Sequence, residues 1–451
     1  MIQTYFNKIL QDVPQYNRFL KIKEIENILK TFRKSQIIKE LIIGKTADNK
    51  PLRMYTFGKG KKTALIIGVP HSDEPLGSLV TIHLINWMAN HPKAQFFEWR
   101  WLIIPILEQR GMTMNEGWFH NYSSLEKTAK FYYRESTEEQ YEWTFPFEYQ
   151  DYKWVHSRPE SKAILEVIKN EKPDLLCNLH HSGFYNTYFY FSEDLPEAYL
   201  RLRKLSNSLK MPLSSSNPDV LFSKSFSPGF YKMYGLRDYI DFYQRYKPEK
   251  LFTIRRGACS DEWYLDRIGG FSFNCEVPLF SSSIKKDNNT SKIELKKLLK
   301  KSELTKTKNV QYCVDILKKI EPFFNSANYL LLNSVLKTIA NTKMSLNYET
   351  TKIRSIEDRN ATNFELFENN VMVHMENLIR LGQIWRIMKN IYDTEKNAKI
   401  LKLLKQIDIK ISKQIKKINL KAQFEPIPIQ RLIKMQVGSI LIITDILASK
   451  N

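Results

Sequence analysis

The sequence predicts an α/β fold, a mixed and largely parallel sheet flanked by helices, followed by an all-α C-terminal appendage. Three observations support this. Continuous apolar runs at 63–70 and 101–107 have the composition of strands buried on both faces. Helix-patterned segments fall between such runs at the interval expected of crossover connections. From about residue 281 strand patterning stops, and long stretches of helical periodicity take over.

In chain order, residues 5–34 alternate apolar and polar side chains at helical spacing, and Pro14 interrupts them, so two short helices are expected. From Ile37 the rhythm is that of strands: I-I-K-E-L-I-I-G, a turn at 46–50, L-R-M-Y-T-F, a turn at 58–62, then T-A-L-I-I-G-V-P. A helix is expected over 77–90, a strand in W-L-I-I-P-I-L from Trp101, and a helix over 161–170 ahead of D-L-L-C-N-L. After Phe280, S-S-S-I-K-K-D-N-N-T-S-K has the polar, small-residue composition of a linker. Helices are expected beyond it at 310–320, 363–392 and 395–422, the last with Ile400, Leu404, Ile407, Ile411, Ile415 and Ile418 on one apolar stripe. The expected division is an N-terminal helical segment at 1–36, an α/β domain at 37–280, a linker at 281–308 and a basic helical region at 309–451.

Composition narrows the function classes. With 451 residues, 43% hydrophobic and 26% charged, the chain is neither a disulfide miniprotein nor a collagen-like repeat nor a charge-dominated disordered chain. Its net charge of +21 is unevenly spread: +6 over residues 1–280 and +15 over 281–451. The surplus is lysine dispersed among Ile, Leu and Asn, the pattern of solvated helix faces, and nucleic-acid binding is not favoured. Cys177, Cys259, Cys275 and Cys313 form no C-x-x-C pair. The longest apolar run, 437–447, is short of the roughly 20 residues of a membrane span and contains Asp445. The first residues lack the basic, apolar and small-residue pattern of a signal peptide, so a cytoplasmic location is expected.

Chemistry concentrates at strand ends. In L-I-I-G-V-P-H-S-D-E-P-L-G an apolar strand runs into a loop bearing His71 and Glu74, spaced so that an imidazole and a carboxylate can reach one cation. A second apolar strand, P-D-L-L-C-N-L, delivers His180 and His181 at its carboxyl end, where open parallel sheets place ligands. His71, Glu74 and one of these histidines make three ligands with a position left for water, as in a catalytic zinc site. His180 is favoured over His181, because successive strand residues point to opposite faces. In G-F-S-F-N-C-E-V-P, Glu276 is a carboxylate amid apolar residues, suited to moving a proton to and from water.

Together these residues resemble the zinc carboxypeptidases of the funnelin type over about residues 38–280. I-I-G-K-T-A-D-N-K-P-L is similar to the family's first strand and turn. H-x-x-E and the distant strand-end histidine follow in order, and then Gly257-Ala258-Cys259-Ser260-Asp261-Glu262-Trp263-Tyr264 and F-S-F-N-C-Glu276 resemble G-G-S-x-D-W-x-Y and F-x-F-x-x-E. The resemblance implies one zinc ion per chain held by His71, Glu74 and His180, with Glu276 as general base and then general acid. It implies a peptide or other amide as substrate.

The chain also departs from the family. The stretch Gly111–Trp118 aligns with the Asn-Arg pair that binds a substrate's terminal carboxylate, and here Asn115 is followed by Glu116, which cannot bind an anion. Arg255, Arg256 or Arg110 could supply that contact instead. Arg134 is the candidate to polarise the scissile carbonyl, and Asp261 aligns near the family's side-chain pocket. The loss of the pair leaves open an amidase or N-acyl deacylase of the same fold. An inactive scaffold whose helical region binds a partner or nucleic acid is the alternative outside enzymes.

Overall fold

The computed structural model describes residues 2–92, 94, 98–220, 222–246, 254–355 and 358–450. The chain forms two compact units, one of residues 1–113, 137–279 and 427–451, the other of 114–136 and 280–426.

A ten-stranded sheet organises the first unit. Its order is Lys39–Lys45, Pro51–Phe57, Trp99–Ile104, Lys62–Ile67, Leu175–Asn178, Phe271–Pro278, Tyr188–Phe191, Phe230–Lys232, Ser225–Ser227, with the short strand His181–Gly183 also paired to Phe271–Pro278. The four strands from Trp99–Ile104 to Phe271–Pro278 are mutually parallel. An antiparallel hairpin extends one edge; at the other, Tyr188–Phe191 runs antiparallel to Phe271–Pro278 and parallel to Phe230–Lys232, which pairs antiparallel with Ser225–Ser227. The parallel strands are buried almost throughout, which explains their unbroken apolar runs. Helices Leu76–Asn90, Pro159–Glu171 and Pro196–Ser208 are the crossovers. Because the central strands run the same way, their carboxyl ends lie along one edge, and both histidine motifs follow such ends.

The C-terminal helix Ile429–Ser449 also belongs to this unit, which corrects the expected boundary. By length and composition it could cross a membrane, yet most of it is buried, against the Phe271–Pro278 strand and helices Leu76–Asn90, Pro196–Ser208 and Ile2–Gln11. A helix apolar on nearly every side has the composition of a core element as well as of a span.

The second unit is helical. Val373–Glu395 is its centre and packs against Leu125–Phe131, Leu295–Ile320, Tyr329–Ser355 and Ala398–Lys421. The stripe from Ile400 to Ile418 is its buried face in Ala398–Lys421, with Ile415 only half-buried. The expected linker at 281–308 is ordered structure. Phe280–Ser282 pairs with Phe424–Pro426, Thr290–Glu294 pairs with Asn360–Thr362, and a helix starts at Leu295. Its polar composition reflects exposed two-stranded ribbons rather than a tether.

Candidate metal centre

The His71 loop is shaped by close backbone packing. A Cβ on Gly68 would stand 2.4 Å from the carbonyl oxygen of Pro105, and one on Gly77 would stand 2.7 Å from the nitrogen of Val69, so glycine at both lets the strand end and the following helix meet. Val69 has φ 53°, strained for a β-branched residue by about 1–3 kcal/mol. Backbone bonds from Leu107 to Gly68 (3.1 Å) and from Glu108 to Val69 (3.1 Å) hold that conformation. The chain then turns so that His71 and Glu74 face the same way, closed by the Glu74 N–H to His71 carbonyl bond (3.1 Å).

His71, Glu74 and His180 converge, with ligand atoms within 4.8 Å of one another and all three side chains buried. Glu74 receives Nδ1 of His71 on one oxygen (2.9 Å) and Nδ1 of His180 on the other (2.9 Å). The opposite ring nitrogens meet a second carboxylate: Glu142 lies 2.6 Å from His71 Nε2 and 3.2 Å from His180 Nε2. Two imidazoles are therefore enclosed between two buried carboxylates. Burial alone raises Glu74, but His71 and His180 outweigh it and hold the carboxyl well below its usual range. Glu142 is likewise lowered, since His180 and then His71 outweigh burial. In the same way Glu142 and Glu74 raise His180 against the effect of burial.

Two imidazole nitrogens and a carboxylate are a zinc donor set. The fit is close, because both Nδ1 atoms already face the Glu74 carboxylate while both Nε2 atoms are engaged behind, as in carboxylate–histidine–metal arrangements. The zinc carboxypeptidase family model (Peptidase_M14) matches residues 25–281, more than half of the chain. The chain belongs to the zinc carboxypeptidase family. It is a zinc-dependent hydrolase of the carboxypeptidase type.

Solved structures similar to this chain include a metallo-carboxypeptidase from Burkholderia cenocepacia (13% identity, 57% of this chain and 60% of that one, TM-score 0.38). Another is carboxypeptidase A from Helicoverpa armigera (12% identity, 63% and 73%, TM-score 0.36). A third is bovine thrombin-activatable fibrinolysis inhibitor (11% identity, 57% and 86%, TM-score 0.36). No curated protein matches the sequence.

The remaining site candidates of this family member separate clearly. Glu276 is buried on the strand next to the cluster, in register with Tyr188. Burial pushes its carboxyl up to about 8, with opposing help from His180 and reinforcement from Glu74 and Asp219. His181 turns away from the cluster, its Nε2 2.8 Å from the carbonyl of Asp73. Asp261 lies in the interior beside the strands of the sheet. It is 2% exposed, and its carboxylate accepts from Ser272 Oγ, from Asn178 Nδ2 (3.1 Å) and from Asn274 Nδ2 (3.4 Å), so it braces the sheet interior. Arg255 is exposed and reaches its neighbour's carbonyl, Ile254 (3.5 Å), whereas the half-buried Arg256 lies 4.1 Å over the Trp143 ring. Arg110 is half-buried at the start of helix Gln109–Phe119.

Asn115 and Arg134 fall in the second unit. Asn115 is fully buried and spends its amide on its own unit, donating to the Tyr133 carbonyl (2.8 Å) and accepting from Tyr133 N–H (2.9 Å) and Trp118 Nε1 (2.9 Å). These bonds brace the turn between helix Gln109–Phe119 and Tyr133. Arg134 accepts at its carbonyl from Ser334 Oγ (2.7 Å).

Glu142 is the functional side chain that sequence reasoning missed. It rides on the 3-10 turn Tyr141–Trp143, which is anchored by Tyr141 N–H to Glu108 (2.8 Å) and by Ser161 Oγ to the Tyr141 carbonyl (2.8 Å). The available signal was one acidic residue between two aromatics, Y-E-W, in a segment otherwise without periodicity.

Proposed function

We propose that the protein hydrolyses an amide bond of a peptide or peptide-like substrate, with one zinc ion per chain held by His71, Glu74 and His180. The observation that carries this reading is the convergence of both Nδ1 atoms on one Glu74 carboxylate, with both Nε2 atoms against Glu142. Zinc, when bound, supplies a Lewis acid that polarises a carbonyl and acidifies water. Glu142, close to Nε2 of both rings, favours the tautomers protonated there, which would leave the Nδ1 lone pairs to ligate. Glu276 takes a proton from the attacking water and returns it to the leaving nitrogen. Burial raises its carboxyl to about 8, which makes it a stronger base than an exposed carboxylate once it is ionised.

Recognition of a terminal carboxylate needs a cation. Arg256 suits that task better than Arg255, because it is half-buried over Trp143, the residue next to Glu142. Arg110 and Arg134 are the further guanidinium groups to test, the latter for the scissile carbonyl. A second reading, an amidase acting without a free carboxyl terminus, is favoured by one observation: Asn115 is occupied within its own unit.

Replacing Glu276→Gln is expected to lower kcat by about 10²–10⁴ with zinc content retained, while His71→Ala loses both zinc and activity. Wild-type rates in either variant would refute the mechanism. One peptide offered with a free and an amidated carboxyl terminus separates the two readings, since equal cleavage excludes strict carboxypeptidase recognition.

A further inference from the structure

The strands that carry His180 and Glu276 are not hydrogen-bonded along their whole length. Leu175–Asn178 pairs with Phe271–Pro278 at Leu175 and Leu176, opposite Phe271 and Ser272. The next pairing on that side of Phe271–Pro278 is Val277 with His181. The intervening residues include the ligand His180 and the two positions before Val277, Cys275 and Glu276. Asn274 Oδ1 accepts from Asn178 N–H (3.2 Å) at its start, and a second side-chain amide reaches the interval from the C-terminal helix. Gln436 Nε2 donates to the His180 carbonyl (2.6 Å) and to the Cys275 carbonyl (3.1 Å).

Several features make this more than incidental packing. Gln436 is fully buried among apolar neighbours, where an amide is costly unless hydrogen-bonded. Both partners are carbonyl oxygens, so only the NH₂ end of the amide can face them, and its orientation is fixed by chemistry. The other end, Oε1, is buried without a hydrogen-bond partner among the described residues, a cost borne with the bridging contact. Ser439, one turn further along, meets Cys275 Sγ at 3.6 Å. The helix itself is tied down at both ends. Gln430 donates to the Val13 carbonyl (2.7 Å), Trp99 Nε1 donates to the Thr444 carbonyl (3.2 Å), and Lys62 donates to the Leu447 carbonyl. The family match ends at residue 281, so this support comes from a segment outside it.

We propose that Gln436 is a positioning residue, which sets the spacing between the backbone of the ligand His180 and that of the general base Glu276. The proposal rests on the zinc-hydrolase roles given above. Fixing the ligand geometry in this way tunes metal affinity and the productive fraction of the bound substrate, not substrate recognition.

The test uses the full chain and three variants: Gln436→Met, which keeps the shape without the donor; Gln436→Glu; and Ile440→Val, a packing change on the same helix. Burial favours the neutral form of the introduced acid, which retains one O–H donor. Zinc affinity by chelator competition is measured beside kcat and KM. Gln436→Met is expected to bind zinc about tenfold more weakly and to lose about tenfold in kcat at saturating zinc, with KM within about twofold. Gln436→Glu should recover part of both losses. Ile440→Val should lose stability while zinc affinity and kcat stay at wild-type values.

Wild-type zinc affinity and kcat in folded Gln436→Met would overturn the proposal, as would equal losses in Ile440→Val. If Gln436→Met does not fold, Gln436→Glu decides: zinc binding weakened about threefold or more supports the brace, and unchanged binding rejects it. Wild-type protein that neither binds zinc nor cleaves peptides would instead remove the enzymatic reading, and the brace with it.

Discussion

In the first unit ionisable groups are drawn inside: His71, Glu74, Glu108, Glu142, His180, Asp261 and Glu276 are all buried. In the second unit, helices Leu295–Ile320 and Ala398–Lys421 carry sixteen lysines against three acidic residues, and none of those lysines is buried. Net charge follows solvent exposure, at +8 for the first unit and +13 for the second. Buried charges must be paired or neutralised, so they nearly cancel in any sum, whereas solvated lysines accumulate freely. Of the total of +21, +13 therefore reports the helical unit, and the sum is silent about the chemistry.

If pairing of buried charge is what builds the metal centre, weakening one pair should show at the metal. Glu142→Gln keeps the shape but removes the negative charge from behind both imidazoles. Zinc affinity is expected to fall about 10–100-fold, measured by chelator competition, while the helices of the second unit keep their hydrogen-exchange protection. An unchanged zinc affinity would mean that Glu74 alone orients the rings.

A subtler contrast lies in Asp261. Burial, and next Glu142, push its carboxyl up to about 6, against its usual range near 4, despite the bond from Ser272. A carboxyl raised in the folded state holds its proton there while the unfolded chain has lost it, so its contribution to stability falls as pH rises from about 4 to about 6. Asp261→Asn should remove that dependence and gain about 1–3 kcal/mol over wild type at pH 7 relative to pH 4, read from denaturant unfolding of zinc-free protein. A variant whose pH profile parallels the wild type would show that Asp261 is ionised without penalty.

These residues also show how far a sequence can be read. His71, Glu74 and His180 were accessible because strand ends in a parallel sheet are where ligands gather, and a local rule of spacing selects them. Glu142 obeys no such rule: it reaches both histidines from a 3-10 turn within an irregular segment, and only tertiary packing brings it there. For Asp261 and Asn115 the family resemblance points to the side-chain pocket and to the pair that binds a terminal carboxylate, but it carries no information about the bonds they make here with Asn178 and Asn274 and with Tyr133. The sheet and its crossovers were legible from apolar periodicity. The return of Ile429–Ser449 to the first unit was not, because periodicity states that a helix is buried without stating against what.

The second unit offers the counterpart of Asp261 with the opposite sign. Lys286 is 6% exposed, its ammonium 4.7 Å from the Phe367 ring centroid and 6.0 Å from that of Phe424, and burial pushes its pKa down to about 8. Below that value the folded state must hold a poorly hydrated charge. Between about pH 8 and 10.5 the unfolded chain binds the proton that the folded one has released, so the contribution of Lys286 to stability rises with pH across that window. The two aromatic faces return part of the lost hydration through cation–π attraction. Lys286→Met, similar in length and uncharged, is therefore expected to stabilise the protein by about 1–2 kcal/mol at pH 7, with the gain shrinking toward pH 10. Urea unfolding at the two pH values measures it. A loss of stability at pH 7 would instead mean that the attraction to Phe367 and Phe424 exceeds the hydration cost, making the second unit, like the first, a place where buried charge is held by its partners.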